Sequence, residues 1–237
     1  MASPETPRTA GTPQKSAACR LIVVGGHTRS IGKTQLVCDL IAALPSAKWI
    51  AGKITQYGHG VCATNGHDCD CAPTEHIVAL DWEMNETLET DSARFRKAGA
   101  ARSFWLRTKQ GFLAEGMEPL RQALADAEKI SAVGGLNVIV ESNSLMQFVK
   151  PSLYVAVLDP AREDFKDSAR LMLDRADVFV FRRGFLDNPV TQPPWTQLPP
   201  QLLRLKPGLL QREGEGLPEG LLERVKRILE SPASVLV

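Results

Sequence analysis

Short runs of apolar, mostly β-branched or aromatic residues alternate along the chain with segments in which apolar residues recur every three or four positions. The continuous runs are typical of strands buried on both faces of a sheet, and the three-to-four spacing is typical of amphipathic helices. The predicted strands cover residues 21–25, 49–55, 77–84, 102–107, 137–144, 153–159 and 177–181. The predicted helices cover residues 33–44, 91–100, 116–130, 163–173 and 219–229.

Strands that alternate with helices predict an α/β fold with three layers, in which helices cover both faces of a mainly parallel central sheet. The run at 77–84 carries Asp81 and Glu83 on alternate positions, which favours an edge β-ribbon. A chain of 237 residues fits one such domain, which we place at residues 19–237. Residues 1–18 are rich in Pro, Thr, Ser and Ala and are predicted to be a flexible tail.

Proline dominates the region before the last helix. Six of the sixteen prolines lie in residues 187–207, and this density predicts an extended connection. The segment 187–237 therefore combines that connection with a C-terminal amphipathic helix.

The turn between the first strand and the first helix carries the main candidate chemistry. Gly-Lys-Thr at the start of a helix is typical of a phosphate-binding loop: backbone N–H groups surround phosphate oxygens, the lysine reaches the terminal phosphates and the threonine hydroxyl helps to hold Mg²⁺. The usual motif is G-x-x-x-x-G-K-[ST], whereas here five residues separate the two glycines, and His27 stands where the first glycine is usual. The predicted nucleotide-binding residues of the loop are Gly26, His27, Thr28, Arg29, Ser30, Ile31, Gly32, Lys33, Thr34 and Gln35.

Three further residues are placed to act with this loop. Ligands of open α/β sheets bind beyond the carboxyl ends of the strands, so Lys53 near the end of the second strand is expected to reach a nucleotide or a substrate. Glu141, near the end of a buried strand, has the place of the carboxylate that holds Mg²⁺ or orients the attacking group in P-loop proteins. Asp91 is predicted to be the N-cap of its helix or, alternatively, to contact Mg²⁺ or its water.

Two arginines follow the last apolar strand of the sheet. Arg182 and Arg183 stand where a regulatory GTPase would carry Asn-Lys-x-Asp for guanine, so guanine specificity is not encoded there. Either guanidinium would stack on a base, pair with phosphate or lie on the surface. The choice between ATP and GTP stays open.

Residues 59–76 contain three of the five cysteines and three of the four histidines, within a predicted insertion at 57–90. The segment has no helical or strand period, and a long loop in a compact domain needs something that orders it. A Cys₃His set would hold zinc, although C-x-C spacing also occurs in iron–sulfur and copper(I) sites. The candidate ligands are Cys62, Cys69 and Cys71 with His76 or His67, while His59 would face the nucleotide. Without a metal, the segment would be a loop of free thiols or a redox pair.

Charge, hydropathy and cysteine usage limit the classes of partner and compartment that the sequence suggests. The chain has 28 basic and 27 acidic residues, so nothing suggests a nucleic-acid binder. No run approaches the roughly 20 apolar residues that would span a membrane, and the N-terminus lacks the apolar core of a secretion signal. The cysteines are expected to be thiols or metal ligands in a reducing cytoplasm.

These motifs resemble known families over residues 20–185. The five-residue loop spacing resembles dethiobiotin synthetase and cobyrinic acid amide synthase relatives. Asp91-Ser92-x-Arg94 followed by Ala98-Gly99-Ala100 resembles MobB-type proteins of molybdenum-cofactor biosynthesis, in which a lysine-containing strand and a Val-Glu strand end are placed like Lys53 and Val140-Glu141. Both groups belong to the SIMIBI class of P-loop proteins. The chain departs from the MobB pattern at Ser142-Asn143, where glycine is usual, and the Cys/His segment has no counterpart.

The resemblance and the Cys/His segment together favour Mg²⁺-dependent ATP or GTP hydrolysis coupled to metal-centre or cofactor assembly, with a client metalloenzyme as partner. Lys33 would bind phosphates, Thr34 and Glu141 would hold Mg²⁺, and Asp91 would position water. A second hypothesis is a small-molecule kinase or a dethiobiotin synthetase-like ATP-dependent synthetase, whose substrate lies near Lys53 and whose zinc loop is structural. A third is a nucleotide-dependent dimeric scaffold without turnover. The resemblance implies a homodimer, since SIMIBI proteins usually dimerise across the nucleotide face.

Overall fold

The computed structural model describes residues 17–57, 77–86, 89–130, 134–182, 200–212 and 214–235. The strands are β1 (Ala18–Gly26), β2 (Ile50–Tyr57), β3 (Val78–Trp82), β4 (Arg102–Lys109), β5 (Leu136–Glu141), β6 (Leu153–Leu158), β7 (Val178–Phe181), β8 (Gly208–Leu210) and β9 (Ser234–Val235). The helices are α1 (Lys33–Ala43), α2 (Asp91–Lys97), α3 (Leu113–Ile130), α4 (Asp167–Arg170), α5 (Pro200–Leu205) and α6 (Glu219–Glu230). Short 3₁₀ turns occupy Pro45–Ala47, Ser144–Gln147 and Leu173–Arg175.

The described strands form one sheet with the order β3-β4-β2-β5-β1-β6-β7-β8. Neighbours along this order are parallel except β3, which is antiparallel to β4 at the edge of the sheet. The short β9 pairs antiparallel with the start of β1. An α/β fold with a mostly parallel central sheet is therefore confirmed, and the segment predicted as an edge ribbon contributes one strand of this sheet.

Hydrophobic cores lie on both faces of the sheet and give the molecule three layers. Alternate residues of β1 point to opposite faces, as expected for a buried strand. Leu21 and Val23 belong to the core under α3, whereas Ile22 and Val24 belong to the core under α1. The helices add Met117, Leu120 and Leu124 to the first core and Leu36, Leu40, Phe95, Leu221 and Val225 to the second.

The helix predicted at 163–173 is wrong in extent. Residues 162–166 are irregular, and only the single turn α4 and a 3₁₀ turn follow. The reason is that this backbone is engaged elsewhere, since the Lys166 N–H donates to the His27 carbonyl at 2.8 Å. A backbone group committed to a distant loop cannot also join a helical ladder.

Two further predictions are corrected in the described part of the chain. Thr90, not Asp91, caps α2: its side chain accepts from the Ala93 N–H at 3.2 Å, and Asp91 is already the first helical residue. The connection predicted as extended at 187–207 contains α5 at its C-terminal end. None of the described helices is long and apolar enough to cross a membrane.

Candidate phosphate-binding site

The loop from His27 to Gly32 joins β1 to α1 and turns tightly just before the helix. Gly32 (φ 82°) and Ser30 (φ 52°) both have left-handed backbone conformations. A side chain at Gly32 would be strained by this backbone angle, and its Cβ atom would also lie 2.6 Å from Nη2 of Arg182, so glycine suits the position. The first turn of α1 carries no acidic side chain, which leaves its N-terminal N–H groups and positive dipole end suited to an anion.

Lys33 lies at the start of α1, and its side chain turns back over the loop. Its Nζ donates to the carbonyl oxygen of Thr28 at 2.5 Å. Burial lowers the pKa of Lys33 to about 8, the charge of Glu141 opposes this shift, and the neighbouring Lys53 and Lys166 add to it. An anion in the loop would relieve this crowding of positive charge.

The sheet brings together polar residues from three separate segments beside Lys33. The register aligns Glu141 with Val24 of β1 on one side and with Lys53 of β2 on the other. Oε2 of Glu141 accepts from the Thr34 hydroxyl at 2.7 Å, and its Oε1 lies 2.5 Å from Nζ of Lys53. The same ammonium lies 2.9 Å from Oδ2 of Asp91. Lys53 therefore bridges two carboxylates at the mouth of the loop.

Burial and charge act against each other in this cluster. Burial alone would lower the pKa of Lys53, but the charges of Glu141 and Asp91 outweigh it and raise that pKa above its ordinary value. Burial alone would raise the pKa of Asp91, but the charge of Lys53, together with hydrogen bonds from Lys53 and Thr34, outweighs burial and lowers that pKa. Glu141 is only 3% exposed, and both of its carboxylate oxygens have a partner, Thr34 at one and Lys53 at the other.

The donor set suits a hard divalent cation. Thr34, Asp91 and Glu141 offer hydroxyl and carboxylate oxygens, which are the ligands that Mg²⁺ prefers. The ammonium of Lys53 already occupies the space between the two carboxylates as a cation. These residues therefore fit Mg²⁺, and in this structure the ammonium of Lys53 balances the negative charge of the two carboxylates.

His27 is buried beneath the loop rather than displayed on it. The side chain is 0% exposed, Nδ1 accepts from the Asp159 N–H at 3.4 Å, and the ring lies 5.2 Å from that of Phe165. Burial lowers the pKa of His27 to about 4, so the imidazole is neutral near pH 7. The histidine at the unusual motif position thus packs the loop against the chain that follows β6.

Arg182 follows β7, and its guanidinium donates hydrogen bonds to the backbone of the loop. Its Nε donates to the carbonyl of Ile31 at 3.1 Å, its Nη2 donates to that of Gly32, and its Nη1 donates to Gln211 at 2.8 Å. Gln211 is 1% exposed and donates in turn to Asp39 of α1 at 3.2 Å. The guanidinium predicted to stack on a base or pair with phosphate is therefore engaged by the loop backbone and its neighbours.

The sequence interpretation missed Asn143. Its amide pairs with both backbone groups of Gly26: Nδ2 donates to the carbonyl and Oδ1 accepts from the N–H, each at 2.8 Å. A Cβ atom at Gly25 would lie 2.2 Å from Oδ1 of Asn143, so this pairing needs glycine there. The signal was the departure from the expected glycine after Glu141, since a polar residue there invites a search for a backbone partner.

The remaining candidates divide into exposed and undescribed residues. The side chains of Arg29, Ser30 and Gln35 are exposed around the loop. Arg183 and the predicted metal ligands lie outside the described residues, namely Cys62, Cys69, Cys71, His67 and His76. No group of three or more His, Cys, Asp or Glu side chains suited to a metal occurs among the residues that the structure describes.

The chain matches no protein-family model, and no curated protein matches its sequence. Among solved structures, it is similar to the crystal structure of HypB from Helicobacter pylori in complex with nickel. The identity is 14%, the alignment covers 90% of this chain and 89% of that chain, and the TM-score is 0.44.

Proposed function

We propose that the protein binds a nucleoside triphosphate with Mg²⁺ and cleaves or transfers its terminal phosphate. The proposal rests on one observation. Glu141 and Asp91 both contact the ammonium of Lys53, and Thr34 donates to Glu141, beside Lys33 at the N-terminus of α1. A helix N-terminus binds phosphate, and an adjacent hydroxyl–carboxylate set holds the metal that accompanies it. The chance occurrence of a Gly-Lys-Thr triplet would not require these side chains to converge.

Each residue has a role that its contacts support. The loop amides and Lys33 bind phosphate oxygens, and Thr34 and Glu141 hold Mg²⁺, which supplies charge neutralisation at the phosphates when bound. Asp91 accepts hydrogen bonds at the edge of the cluster, where it would orient the attacking water or hydroxyl. Asn143 and Arg182 fix the two ends of the loop, so its amides keep their directions.

We further propose that turnover serves metal-centre or cofactor assembly, with a client metalloenzyme as partner and a homodimer as the working form. Support comes from the sequence, because cysteine and histidine are concentrated at Cys62, Cys69, Cys71, His67 and His76. Elemental analysis and a visible spectrum of protein purified without oxygen would distinguish zinc from an iron–sulfur cluster. A zinc affinity that is identical with and without nucleotide would exclude coupling of the two sites.

A surface beside Lys53 favours a second candidate, a small-molecule kinase or ATP-dependent synthetase. Lys53 of β2 is paired in register with Trp105 of β4. The indole N–H of Trp105 donates to Thr55 at 2.9 Å. The Arg107 guanidinium lies 4.8 Å from the Trp105 ring centre. Arg107 is also ion-paired with Asp81. An aromatic surface that carries this ion pair next to the terminal-phosphate site suits a polar metabolite as acceptor.

The test measures binding and turnover of ATP and GTP separately, with Mg²⁺ present or chelated. E141Q keeps the shape of the side chain and is expected to lower turnover about a hundredfold or more, as loss of a metal-positioning carboxylate does. E230Q, at the exposed end of α6, is the matched control and should leave turnover unchanged. Turnover that needs an added metabolite would favour the second candidate, and tight binding without turnover would favour a scaffold. Absence of nucleotide binding would refute the proposal.

A further inference from the structure

Glu83, the residue that follows β3, holds the start of α2 through its carboxylate. Its Oε2 accepts from the Ser92 hydroxyl at 2.9 Å and from the Thr90 hydroxyl at 3.1 Å. Its Oε1 accepts from the Asn85 N–H at 2.9 Å. The two hydroxyls belong to the residues on either side of Asp91, so Glu83 contacts both neighbours of a residue in the proposed site.

The chemistry of these hydroxyls explains why they need a carboxylate. Thr90 Oγ1 already accepts from the Ala93 N–H at 3.2 Å, so its own hydrogen has to be donated to another group. Ser92 is 2% exposed, and a buried hydroxyl depends on a partner within the protein. Burial alone would raise the pKa of Glu83, but hydrogen bonds, the first of them from the Asn85 N–H, outweigh burial and lower that pKa. Glu83 is therefore an ionised acceptor near neutral pH.

The backbone of Glu83 is fixed to the part of the sheet that carries Lys53. Its N–H donates to the Ser103 carbonyl of β4 at 2.8 Å. The register of β4 with β2 then places Trp105 opposite Lys53. Glu83 therefore connects the start of α2 to the strands from which Lys53 reaches Asp91 at 2.9 Å.

We propose that Glu83 is a positioning residue, which directs the Asp91 carboxylate toward Lys53 and the phosphate site. The proposal rests on the proposed function, in which Asp91 orients the attacking water or hydroxyl, and adds a residue that acts through Asp91. The first N–H groups of a helix have no intrahelical partner, so the first turn depends on side-chain caps for its order. Without Glu83, the hydroxyls of Thr90 and Ser92 lose their acceptor, and Asp91 between them takes more than one orientation.

The first measurement is steady-state turnover of the Mg²⁺-nucleotide. E83A is expected to lower kcat about tenfold or more and to change KM less than about twofold, because Lys33 and the loop amides still bind the phosphates while Asp91 is displaced. E83Q keeps an oxygen that accepts from the hydroxyls and should retain more of kcat than E83A. E86A is the matched control, since Glu86 pairs with Arg96 at 3.0 Å near the other end of α2.

The second measurement follows the position of Asp91 without any turnover. The coupling between K53M and D91N in urea denaturation reports the contact of the two side chains in the folded protein. In the E83A background this coupling should fall to about half or less, because the carboxylate no longer points at Lys53 throughout. In the E86A background it should be unchanged. A residue that only stabilises α2 would lower the stability of every variant and leave the coupling as it is.

Each result decides the assignment. A lower kcat at nearly constant KM and a weaker coupling in E83A, with neither change in E86A, support it. An unchanged kcat, an increase in KM as large as the loss in kcat, or an unchanged coupling overturns it and leaves Glu83 as a cap of α2. If E83A does not fold, S92A, which deletes one of the two hydroxyls, should change both readouts in the same direction, and no change in S92A overturns the assignment. A wild-type protein without turnover refutes the proposed function, whereas the coupling still tests the position of Asp91.

Discussion

Replacing Lys53 by methionine removes the cation between two carboxylates while keeping a side chain of similar length. Nζ of Lys53 lies 2.5 Å from Glu141 and 2.9 Å from Asp91. Without it, the two carboxylates face each other across a space that is poorly reached by water. K53M should therefore be less stable than the wild type when Mg²⁺ is absent.

The size of the effect follows from burial. Breaking a fully buried ion pair costs about 3–5 kcal/mol, because a charge is left without a partner. Lys53 is 18% exposed and Asp91 33%, whereas Glu141 is 3% exposed, so solvent offsets part of the loss at Asp91 but little at Glu141. We expect K53M to lower the free energy of unfolding by about 2–3 kcal/mol at pH 7.

Protons and Mg²⁺ should both restore stability to K53M. In the wild type, the raised pKa of Lys53 gives stability that is present below its unfolded value of 10.5 and is lost as the pH rises through the folded value. The lowered pKa of Asp91 gives stability that is present above 3.8 and is lost as the pH falls through the folded value. The contribution of this cluster to the free energy of unfolding of the wild type should therefore not change with pH near neutrality. K53M, in contrast, should become more stable as the pH falls from 7 to 5 and its carboxylates take up protons.

The assay is urea denaturation followed by circular dichroism, with and without Mg²⁺. A cation at 100 times its dissociation constant stabilises the folded state by about 2.7 kcal/mol, so Mg²⁺ should recover most of the loss in K53M and add less to the wild type, where it competes with the ammonium. K97M is the control, since Lys97 is exposed on α2. A loss in K53M no larger than in K97M, or an equal gain from Mg²⁺ in both proteins, would refute the reasoning.

Three further predictions concern the loop. Because the pKa of Lys33 is about 8, nucleotide affinity should fall as the pH rises above 8. Binding at pH 8.5 should take up a proton, so the calorimetric heat of binding should depend on the buffer; identical heats in all buffers would contradict this. N143D replaces the donor to the Gly26 carbonyl by a carboxylate oxygen, and should cost about 1–3 kcal/mol of stability in thermal denaturation, more than N143A, which only deletes the pair. R182K keeps the charge but not the planar fork that holds Ile31 and Gly32, so it should weaken nucleotide binding about as much as R182A; full retention of affinity in R182K would show that only charge matters.

Local pattern predicted the elements that depend on neighbouring residues. Glu141 is the last residue of β5, as the sequence predicts, whereas Lys53 lies in the middle of β2, which continues to Tyr57. Apolar β-branched runs form buried strands whatever their partners. The order of the strands is a tertiary property, so the adjacency of β5 to both β1 and β2 could not be read from spacing.

The misses share one physical cause, which is contact between distant segments. Asn143 pairs with Gly26 across 117 residues, and Arg182 reaches Gly32 across 150. The cap of α2 is a local exception, since Thr90 has the extended backbone of an N-cap and Asp91 is already the first helical residue. Both residue types are favoured at N-caps, so the sequence alone does not say which of two neighbours ends the extended chain.

The most direct test of the central claim is a calorimetric titration of the wild-type protein with the β,γ-imido analogues of ATP and GTP, with Mg²⁺ and with chelator. The convergence of Thr34, Asp91 and Glu141 beside Lys33 predicts saturable binding of at least one nucleotide, about tenfold or more tighter with Mg²⁺, as expected when a metal adds charge-assisted contacts. Binding that does not respond to Mg²⁺, or no binding of either nucleotide at millimolar concentration, would contradict the account.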